Sequence, residues 1–246
     1  MRSLRVPVSG LPARPEGAEE RVLDDGTSHY VARVLRLPVG EVITLFDAKL
    51  GTVARAEVLE VGAQVKVRIG VVEQQRDRGP FVQLLYALAK GDKVDSVIQD
   101  ATELRASHIT LVSTERSVVQ LSAERATARH TRWERIAEQA ARQCGRAQVP
   151  VIDGPMPLAE AAQQTHALHK FCLHPAAPVP LGNLLPSALG TGDGLAFAIG
   201  PEGGFSSDEL SLLERTGFTL VRIGDTVLRT ETVAACVLGA VLTLHP

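Results

Sequence analysis

The most constraining stretch of the chain is a glycine-rich turn that directly follows a short apolar strand. Leu195–Ile199 is apolar throughout, and Gly200-Pro201-Glu202-Gly203-Gly204 comes next. Three glycines in five residues permit positive φ, which we expect at Gly203, and let bare backbone groups approach a ligand. Ser206 and Glu209 have capping-box spacing, so a helix begins at once. Such a turn faces the ligand crevice of an open α/β sheet, although an ordinary tight turn is the alternative for this motif alone.

A second motif precedes the apolar C-terminal segment. Leu228-Arg229-Thr230-Glu231-Thr232 combines a basic residue, two hydroxyls and a carboxylate. Residues 233–244 after it have the length of a helix but are too short to cross a bilayer. Thr230 is predicted to be the N-cap, and Glu231 in the first turn suits the helix dipole. Taken alone, the motif is typical of a well-started terminal helix.

Together and in this order, the two motifs resemble the SPOUT class of S-adenosylmethionine-dependent RNA methyltransferases, most closely the ribosomal small-subunit methyltransferase E family. Further matches extend over nearly the whole chain: residues 29–37 (HYVARVLRL), Leu45-Phe46-Asp47, Lys90-Gly91-Asp92-Lys93, Thr102-Glu103-Leu104, Glu115-Arg116, Gln143-Cys144-Gly145-Arg146 and Leu173-His174-Pro175. The resemblance implies methylation of N3 of a uridine in 16S rRNA, at position 1498.

The chain departs from the family pattern at three positions. Arg105 and Ala48 stand where the family usually has glycine, and Thr226 stands where it usually has arginine. Arg105 and Thr226 are expected to change side-chain contacts near the substrate, whereas a backbone cradle needs neither.

Periodicity and composition predict an α/β chain with two domains. In residues 1–73, a helix predicted at residues 25–37 precedes alternating strands, which suggests a small barrel. The resemblance implies that this is a PUA-like or OB-like RNA-binding barrel. A polar run over residues 73–80, ending in Gly79-Pro80, forms a natural linker. Residues 74–246 alternate strands with helices, which implies a mostly parallel sheet. The resemblance makes this part a SPOUT methyltransferase domain with a C-terminal trefoil knot.

Charge and cysteine usage exclude some classes of function. The net charge of −2 gives no whole-protein basic field, but residues 116–146 hold seven arginines against three glutamates. A solvated helix face is the alternative explanation of that run. The three cysteines lack the spacing of a disulfide framework or a zinc site, so we expect no metal. Residues 1–10 contain no long apolar region, and we expect a cytoplasmic protein.

The resemblance also assigns roles to individual residues. Three turns are expected to bind S-adenosylmethionine: Leu173, His174 and Pro175; Ile199, Gly200, Pro201, Glu202, Gly203 and Gly204; and Ile223, Gly224, Val227, Leu228 and Thr230. Candidates for stabilising a uracil anion are Arg116, Arg146 and Arg229, because arginine stays charged and offers a planar donor fork. Glu202 and Glu231 are candidate orienters or proton acceptors. Arg116 bonding a strand end and Arg229 bonding the knot are the structural alternatives.

RNA binding and self-association complete the expectations. Phosphate contacts are assigned to Arg33, Arg36, Lys66, Arg68, Lys90, Lys93, Arg125, Arg129 and Arg132. The nearly uncharged segment 233–244 is a candidate homodimer interface. Two other functions stay open. A phosphotransferase using the glycine turn would lack the usual GK[ST], and an RNA-binding ribosome-assembly protein would have no activity.

Overall fold

A computed structural model describes residues 4–14, 19–75, 79–89, 93–117 and 123–245, with residues 123–125 described by their backbone alone. The chain forms two compact units. The first comprises residues 1–77 and 141–149, and the second comprises residues 78–140 and 150–246. The linker predicted at residues 73–80 therefore falls where the chain first passes from one unit to the other.

Five strands form the sheet of the first unit: β1 (Arg5–Pro7), β2 (Glu19–Val22), β3 (Val42–Asp47), β4 (Thr52–Val61) and β5 (Val65–Gln74). Their order is β1-β3-β4-β5-β2, with β1 and β3 parallel and the other pairs antiparallel. Alternation along β5 buries Val65, Val67 and Ile69 in an apolar core and turns Lys66 and Arg68 outward.

The helix predicted at residues 25–37 is shorter and less regular than expected. An α-helix, α1 (Asp25–His29), passes into a π-helical turn over Tyr30–Val34. The Leu35 N–H donates to the Tyr30 carbonyl at 2.9 Å, which is the i→i−5 pattern of a π-helix.

The second unit is built on seven parallel strands: β6 (Val82–Ala87), β7 (His108–Ser113), β8 (Val151–Pro157), β9 (His169–Leu173), β10 (Val179–Pro180), β11 (Leu195–Ile199) and β12 (Phe218–Arg222). Its helices are α2 (Lys93–Glu103), α3 (Ala123–Cys144), α4 (Leu158–Gln163), α5 (Leu185–Gly190), α6 (Ser207–Arg215) and α7 (Thr230–Leu244), with a 3₁₀ turn at Leu181–Asn183. The last four residues of α3 are counted with the first unit. The strand order is β10-β12-β9-β11-β6-β7-β8.

Strand β11 lies inside this sheet, between β9 and β6, and is buried along its whole length. A strand covered on both faces needs a continuous apolar run, which is what Leu195–Ile199 provides. Register pairs Ile199 with Leu173 of β9 and with Tyr86 of β6, so the carboxyl ends of all three strands are level. The turns that follow β9 and β11 must therefore be neighbours.

Two predicted helix starts have different outcomes. The capping box is confirmed, because the Ser206 hydroxyl accepts from the Glu209 N–H and the Glu209 carboxylate accepts from the Ser206 N–H. The prediction of Thr230 as N-cap is wrong. Arg229 occupies the N-cap of α7 and Thr230 is its first helical residue, because the Thr230 hydroxyl is engaged elsewhere.

The predicted fold class is confirmed as an α/β chain with a small N-terminal β unit and a parallel sheet. None of the helices in the described ranges combines the length and the apolar character needed to traverse a lipid bilayer.

Candidate active site

A cavity of about 610 Å³ opens in the second unit at the carboxyl ends of β9, β11 and β12. The structure brings thirteen of the fourteen predicted cofactor residues to its wall: Leu173, His174, Pro175, Ile199, Gly200, Pro201, Glu202, Gly203, Gly204, Ile223, Val227, Leu228 and Thr230. Gly224 does not line the cavity. Phe205 and Val233 line it as well and were missed, because an apolar residue after a turn carries no functional signal in the sequence.

The glycine turn has the close backbone packing that its composition predicts. The Gly204 N–H donates to the Pro201 carbonyl at 2.8 Å. A Cβ on Gly200 would lie only 3.2 Å from the Phe205 backbone nitrogen, so a side chain there would displace the turn. The expectation of positive φ at Gly203 is wrong, since the left-handed residue is Gly204, with φ of 69°.

Arg116 lines the cavity but is engaged with the turn itself. Its Nη1 donates to the Gly203 carbonyl oxygen at 2.8 Å. The neighbouring Glu115 N–H donates to the Glu209 carboxylate at 2.8 Å, which ties this segment to the start of α6. The structure therefore supports a positioning role for Arg116, because it bonds the backbone of the turn that follows β11. This is close to the structural alternative, in which Arg116 bonds a strand end.

Lys93 links the two predicted motifs. Its Nζ lies 2.8 Å from Glu202 Oε1 and 3.7 Å from Glu231 Oε2. Hydrogen bonding from the backbone N–H of Glu231 itself and from the Thr230 hydroxyl, together with the charges of Lys93 and Arg229, holds the pKa of the Glu231 carboxyl below its ordinary value. Glu231 Oε2 accepts from the Thr230 hydroxyl and faces the Lys93 ammonium, and this geometry favours Glu231 as an orienting group.

Tyr86, near the end of β6, does not line the cavity but supports Thr230 in its wall, and sequence reasoning missed it. Its hydroxyl lies 2.8 Å from Thr230 Oγ1, and Thr230 Oγ1 donates to Glu231 Oε2 at 3.1 Å. Because the single hydroxyl proton of Thr230 goes to Glu231, the Tyr86 hydroxyl must donate to Thr230. Burial is the main cause that raises the pKa of Tyr86 to about 12. Tyr86 therefore stays neutral and anchors the start of α7.

Arg229 lines the same cavity, and its side chain is exposed. It makes no hydrogen bond or ion pair through its side chain with any residue that the structure describes, whereas Arg116 holds Gly203 and Lys93 holds Glu202. Of these three cations, Arg229 is the one that can turn its donor fork toward a substrate.

Arg146 is not among the residues that line the cavity. It belongs to the first unit, is buried there, and its N–H donates to the Ala141 carbonyl at 2.9 Å. Gly145, with φ of 76°, precedes it. This is the way in which a helix ends in a Schellman turn, so the Gly145-Arg146 pair of the predicted motif terminates α3.

The predicted RNA-binding cations differ in their surroundings. Lys66 and Arg68 both pair with Glu20, at 2.7 and 3.3 Å. Arg132 pairs with Asp95 at 2.5 Å, and Lys93 lies at the cavity. Arg33, Arg36 and Arg129 form no ion pair within the described ranges. Lys90 and the side chain of Arg125 lie outside the described residues.

The three departures from the family pattern also have structural explanations. Arg105 is left-handed, with φ of 66°, between the end of α2 and the start of β7, and it does not line the cavity. Ala48 follows Asp47 in a turn where positive φ is not required. Thr226 does line the cavity.

Within the described ranges, His, Cys, Asp and Glu side chains nowhere gather in the groups of three that would hold a metal ion.

Comparison with known proteins identifies the chain. A family model described as RNA methyltransferase domain matches residues 77–242, and one described as RNA methyltransferase PUA domain matches residues 23–69. Ribosomal RNA small subunit methyltransferase E of Mycobacterium bovis is 32% identical over 237 residues, covering 92% of this chain and 87% of the relative. The chain belongs to the ribosomal RNA small subunit methyltransferase E family.

Other members of the family match over similar lengths. The Bacillus subtilis relative is 29% identical, covering 87% of this chain and 86% of its own. The structure of the Neisseria gonorrhoeae family member bound to S-adenosyl methionine is 27% identical with a TM-score of 0.82, and the match covers 99% of this chain and 98% of that chain. The structure of a Legionella pneumophila methyltransferase in complex with the same cofactor is 31% identical with a TM-score of 0.80, and the match covers 99% of this chain and 98% of that chain.

Proposed function

We propose that this chain transfers the methyl group of S-adenosylmethionine to N3 of a uridine in 16S rRNA, at position 1498 as the family resemblance implies. The observation that carries the proposal is a cavity walled by the turns after β9, β11 and β12, with the exposed Arg229 at its wall. Family membership and the cofactor-bound relatives support the same reaction.

The residues of the cavity suit this cofactor. Its volume of about 610 Å³ lies in the ordinary range for small-molecule sites. Leu173, Ile199 and Leu228 offer apolar contacts for a flat purine, and the glycine turn offers backbone groups for its polar edge. A Cβ at Gly200 would crowd Phe205, so the turn is packed too closely for a side chain at this position. Such close packing is expected of a cradle made of backbone groups.

The bound cofactor would supply an activated methyl group on a sulfonium. The protein must then hold the uracil in line and stabilise the negative charge that develops when N3 loses its proton. Arg229 is the cation available for the uracil oxygens. Arg116 keeps the glycine turn in place through Gly203, and Lys93 neutralises Glu202 beside it.

The substrate must present an accessible base. N3 lies on the Watson–Crick edge, so the target uridine has to be unpaired or flipped out of its helix. Among the predicted phosphate contacts, Arg33, Arg36 and Arg129 are the described cations without an intramolecular ion pair. They are therefore better placed to meet RNA than Lys66, Arg68 and Arg132.

A homodimer in the cytoplasm is the second part of the proposal. Helix α7 is apolar along most of its length, yet Cys236 and Leu244 are exposed on it. Burying such a surface against a second copy would remove it from water. Light scattering coupled to size exclusion would test this, and Leu244→Glu should shift the mass toward a monomer.

Methyl transfer can be tested directly. The protein is incubated with labelled S-adenosylmethionine and small ribosomal subunits lacking the modification, and the label is located by nuclease digestion and mass spectrometry. We expect a single 3-methyluridine. Cofactor binding and subunit binding without label transfer would instead support an assembly protein. Tight ATP binding with no affinity for S-adenosylmethionine would support a phosphotransferase.

A further inference from the structure

The loop between β12 and α7 presents an exposed apolar side chain at the cavity. Val227 lines the cavity, yet it is 82% exposed, the highest value among the large apolar residues that the structure describes. Ile199 and Phe205 in the same wall are only 2% and 5% exposed. Single exposed apolar residues are common on protein surfaces, but this one stands where a ligand would cover it.

The segment around this side chain is held by hydrogen bonds only at its two ends. At the end of β12, Arg222 Nη1 donates to a backbone carbonyl at 2.9 Å, and the Tyr86–Thr230 hydrogen bond fixes the start of α7. Residues 223–228 between them form no hydrogen bond with any residue that the structure describes. The middle of the loop can therefore adjust to a ligand without breaking hydrogen bonds of its own.

Val227 and Arg229 share one side of this segment. Arg229 has extended backbone, with φ of −66° and ψ of 149°. Exposure alternates accordingly, since Val227 and Arg229 are exposed and Leu228 between them is half-buried. Alternate residues of an extended chain point the same way, with Cα atoms about 7 Å apart. An apolar contact and a planar donor fork thus lie side by side at the exposed edge of the cavity.

We propose that Val227 packs against the face of the target base and positions it so that Arg229 meets its oxygens. A base carried by a large RNA enters from solvent and reaches the exposed residues, whereas a small cofactor can fill the buried part of the cavity beside Ile199. A flat ring with polar edges suits an apolar contact on its face and a donor fork at its edge. The inference rests on the proposed function, and it moves Val227 from the cofactor site, where the family resemblance places it, to the substrate.

The contact is tested by single-turnover methylation of small ribosomal subunits lacking the modification, with saturating S-adenosylmethionine. Val227→Ala should raise the subunit concentration that gives half the limiting rate roughly tenfold, because two methyl groups of apolar contact are lost. The limiting rate should change little, since this contact is made before and during the reaction alike. Val227→Ile keeps the apolar surface and should stay within about twofold of the wild type. An unchanged concentration dependence in Val227→Ala would overturn the proposal.

Calorimetry separates a substrate contact from a cofactor contact. The affinity of Val227→Ala for S-adenosylmethionine should stay within about twofold of the wild type. Leu168→Ala is a matched control, because Leu168 is 72% exposed in the same unit but precedes the amino end of β9 and does not line the cavity. It should leave both measurements unchanged. Weakened cofactor binding in Val227→Ala, with wild-type kinetics once the cofactor saturates, would return Val227 to the cofactor site. A change of its mass in light scattering would show that a second copy covers this side chain, which also contradicts the proposal.

Failure of this inference is distinguishable from failure of the proposed function, because coverage of position 227 can be measured without turnover. In Val227→Cys, the rate of maleimide labelling reports that coverage, and peptide mass spectrometry reads position 227 separately from the exposed Cys144 and Cys236. Small subunits with S-adenosylhomocysteine should slow the labelling, whereas S-adenosylmethionine alone should not, and Leu168→Cys should react equally in all conditions. If subunits protect position 227 but the wild type transfers no methyl group, the contact stands and the proposed reaction fails. If methyl transfer proceeds and position 227 stays reactive, the inference fails alone.

Discussion

The Tyr86 hydroxyl lies 2.8 Å from Thr230 Oγ1, joining the carboxyl end of β6 to the first residue of α7. These residues are 144 positions apart in the chain. The hydrogen bond fixes the start of the helix whose preceding loop forms one wall of the cavity, and it is buried. Its loss should therefore change both stability and the pH dependence of stability.

Tyr86→Phe should reverse its effect on stability between neutral and alkaline pH. Near pH 8 the variant loses the hydrogen bond to Thr230 and should be less stable by about 1 kcal/mol. Burial raises the pKa of Tyr86 from 10.0 to about 12, so above pH 10 the tyrosine ionises in the unfolded state before it ionises in the folded state. Wild-type stability is therefore unaffected by this group below pH 10 and falls as the pH rises toward 12, whereas phenylalanine does not ionise. Urea denaturation followed by Trp133 fluorescence should show the two stability curves crossing in that window.

Cys172 provides an internal control for this experiment. Burial also raises the pKa of its thiol, to about 12, so the variant should still lose stability above pH 9, with a shallower slope than the wild type. Parallel curves for the two proteins from pH 8 to 12 would show that Tyr86 does not titrate with unfolding.

The two adjacent glycines of the turn should respond differently to alanine. A Cβ at Gly204 would point into open space, but φ there is 69°, so Gly204→Ala should cost about 1–2 kcal/mol through backbone strain alone. Gly203 lacks positive φ, and a Cβ there would make an ordinary 3.5 Å contact with Arg116. Calorimetry should show S-adenosylmethionine binding weakened roughly tenfold in Gly204→Ala and nearly unchanged in Gly203→Ala. The reverse order would mean that Gly203 is the strained position.

Arg105→Gly should stabilise the second unit. The Ala106 N–H donates to the Ala101 carbonyl and the Arg105 N–H to the Thr102 carbonyl, which together form a Schellman turn with Arg105 at its left-handed position. Glycine accepts that conformation without a Cβ penalty, so we expect a gain of about 1 kcal/mol. Methyl transfer should be unaffected, since Arg105 does not line the cavity. A loss of activity with the stability gain would place Arg105 near the substrate after all.

How much of this protein the sequence could predict depended on how far apart along the chain the interacting residues lie. The alternation of β5, the apolar run of β11 and the capping box at Ser206 were predictable, because they rest on residues close together in the chain. The proximity of the two motifs followed only from the family resemblance, since the crossing order of β9, β11 and β12 in the sheet is not encoded locally.

Side-chain roles were the least predictable part. Arg116 and Arg229 have the same chemistry in the sequence, and only the structure shows that one is bonded to Gly203 while the other lies exposed at the cavity. Tyr86 could not be found, because nothing in a buried strand marks this residue near its end as the partner of a threonine 144 positions later.

The difference between Arg229 and Arg116 leads to contrasting kinetics for their alanine variants. If Arg229 stabilises the uracil anion, Arg229→Ala removes an interaction made mainly in the transition state. Turnover should then fall by roughly 10²–10³ while S-adenosylmethionine affinity holds. Arg116→Ala should instead weaken S-adenosylmethionine binding, because the Gly203 carbonyl loses its donor and the glycine turn loosens.

A pH series of single-turnover rates with saturating cofactor separates the two roles. Raising the pH should partly restore Arg229→Ala, because more of the uracil is already deprotonated, and Arg229→Lys should retain part of the rate through its charge. Arg116→Ala should show the wild-type pH profile once the cofactor saturates it. Arg146→Ala should leave S-adenosylmethionine affinity unchanged, since Arg146 does not line the cavity. A wild-type rate for Arg229→Ala, or an equal loss in Arg229→Lys and Arg229→Ala with no pH rescue, would remove Arg229 from charge stabilisation.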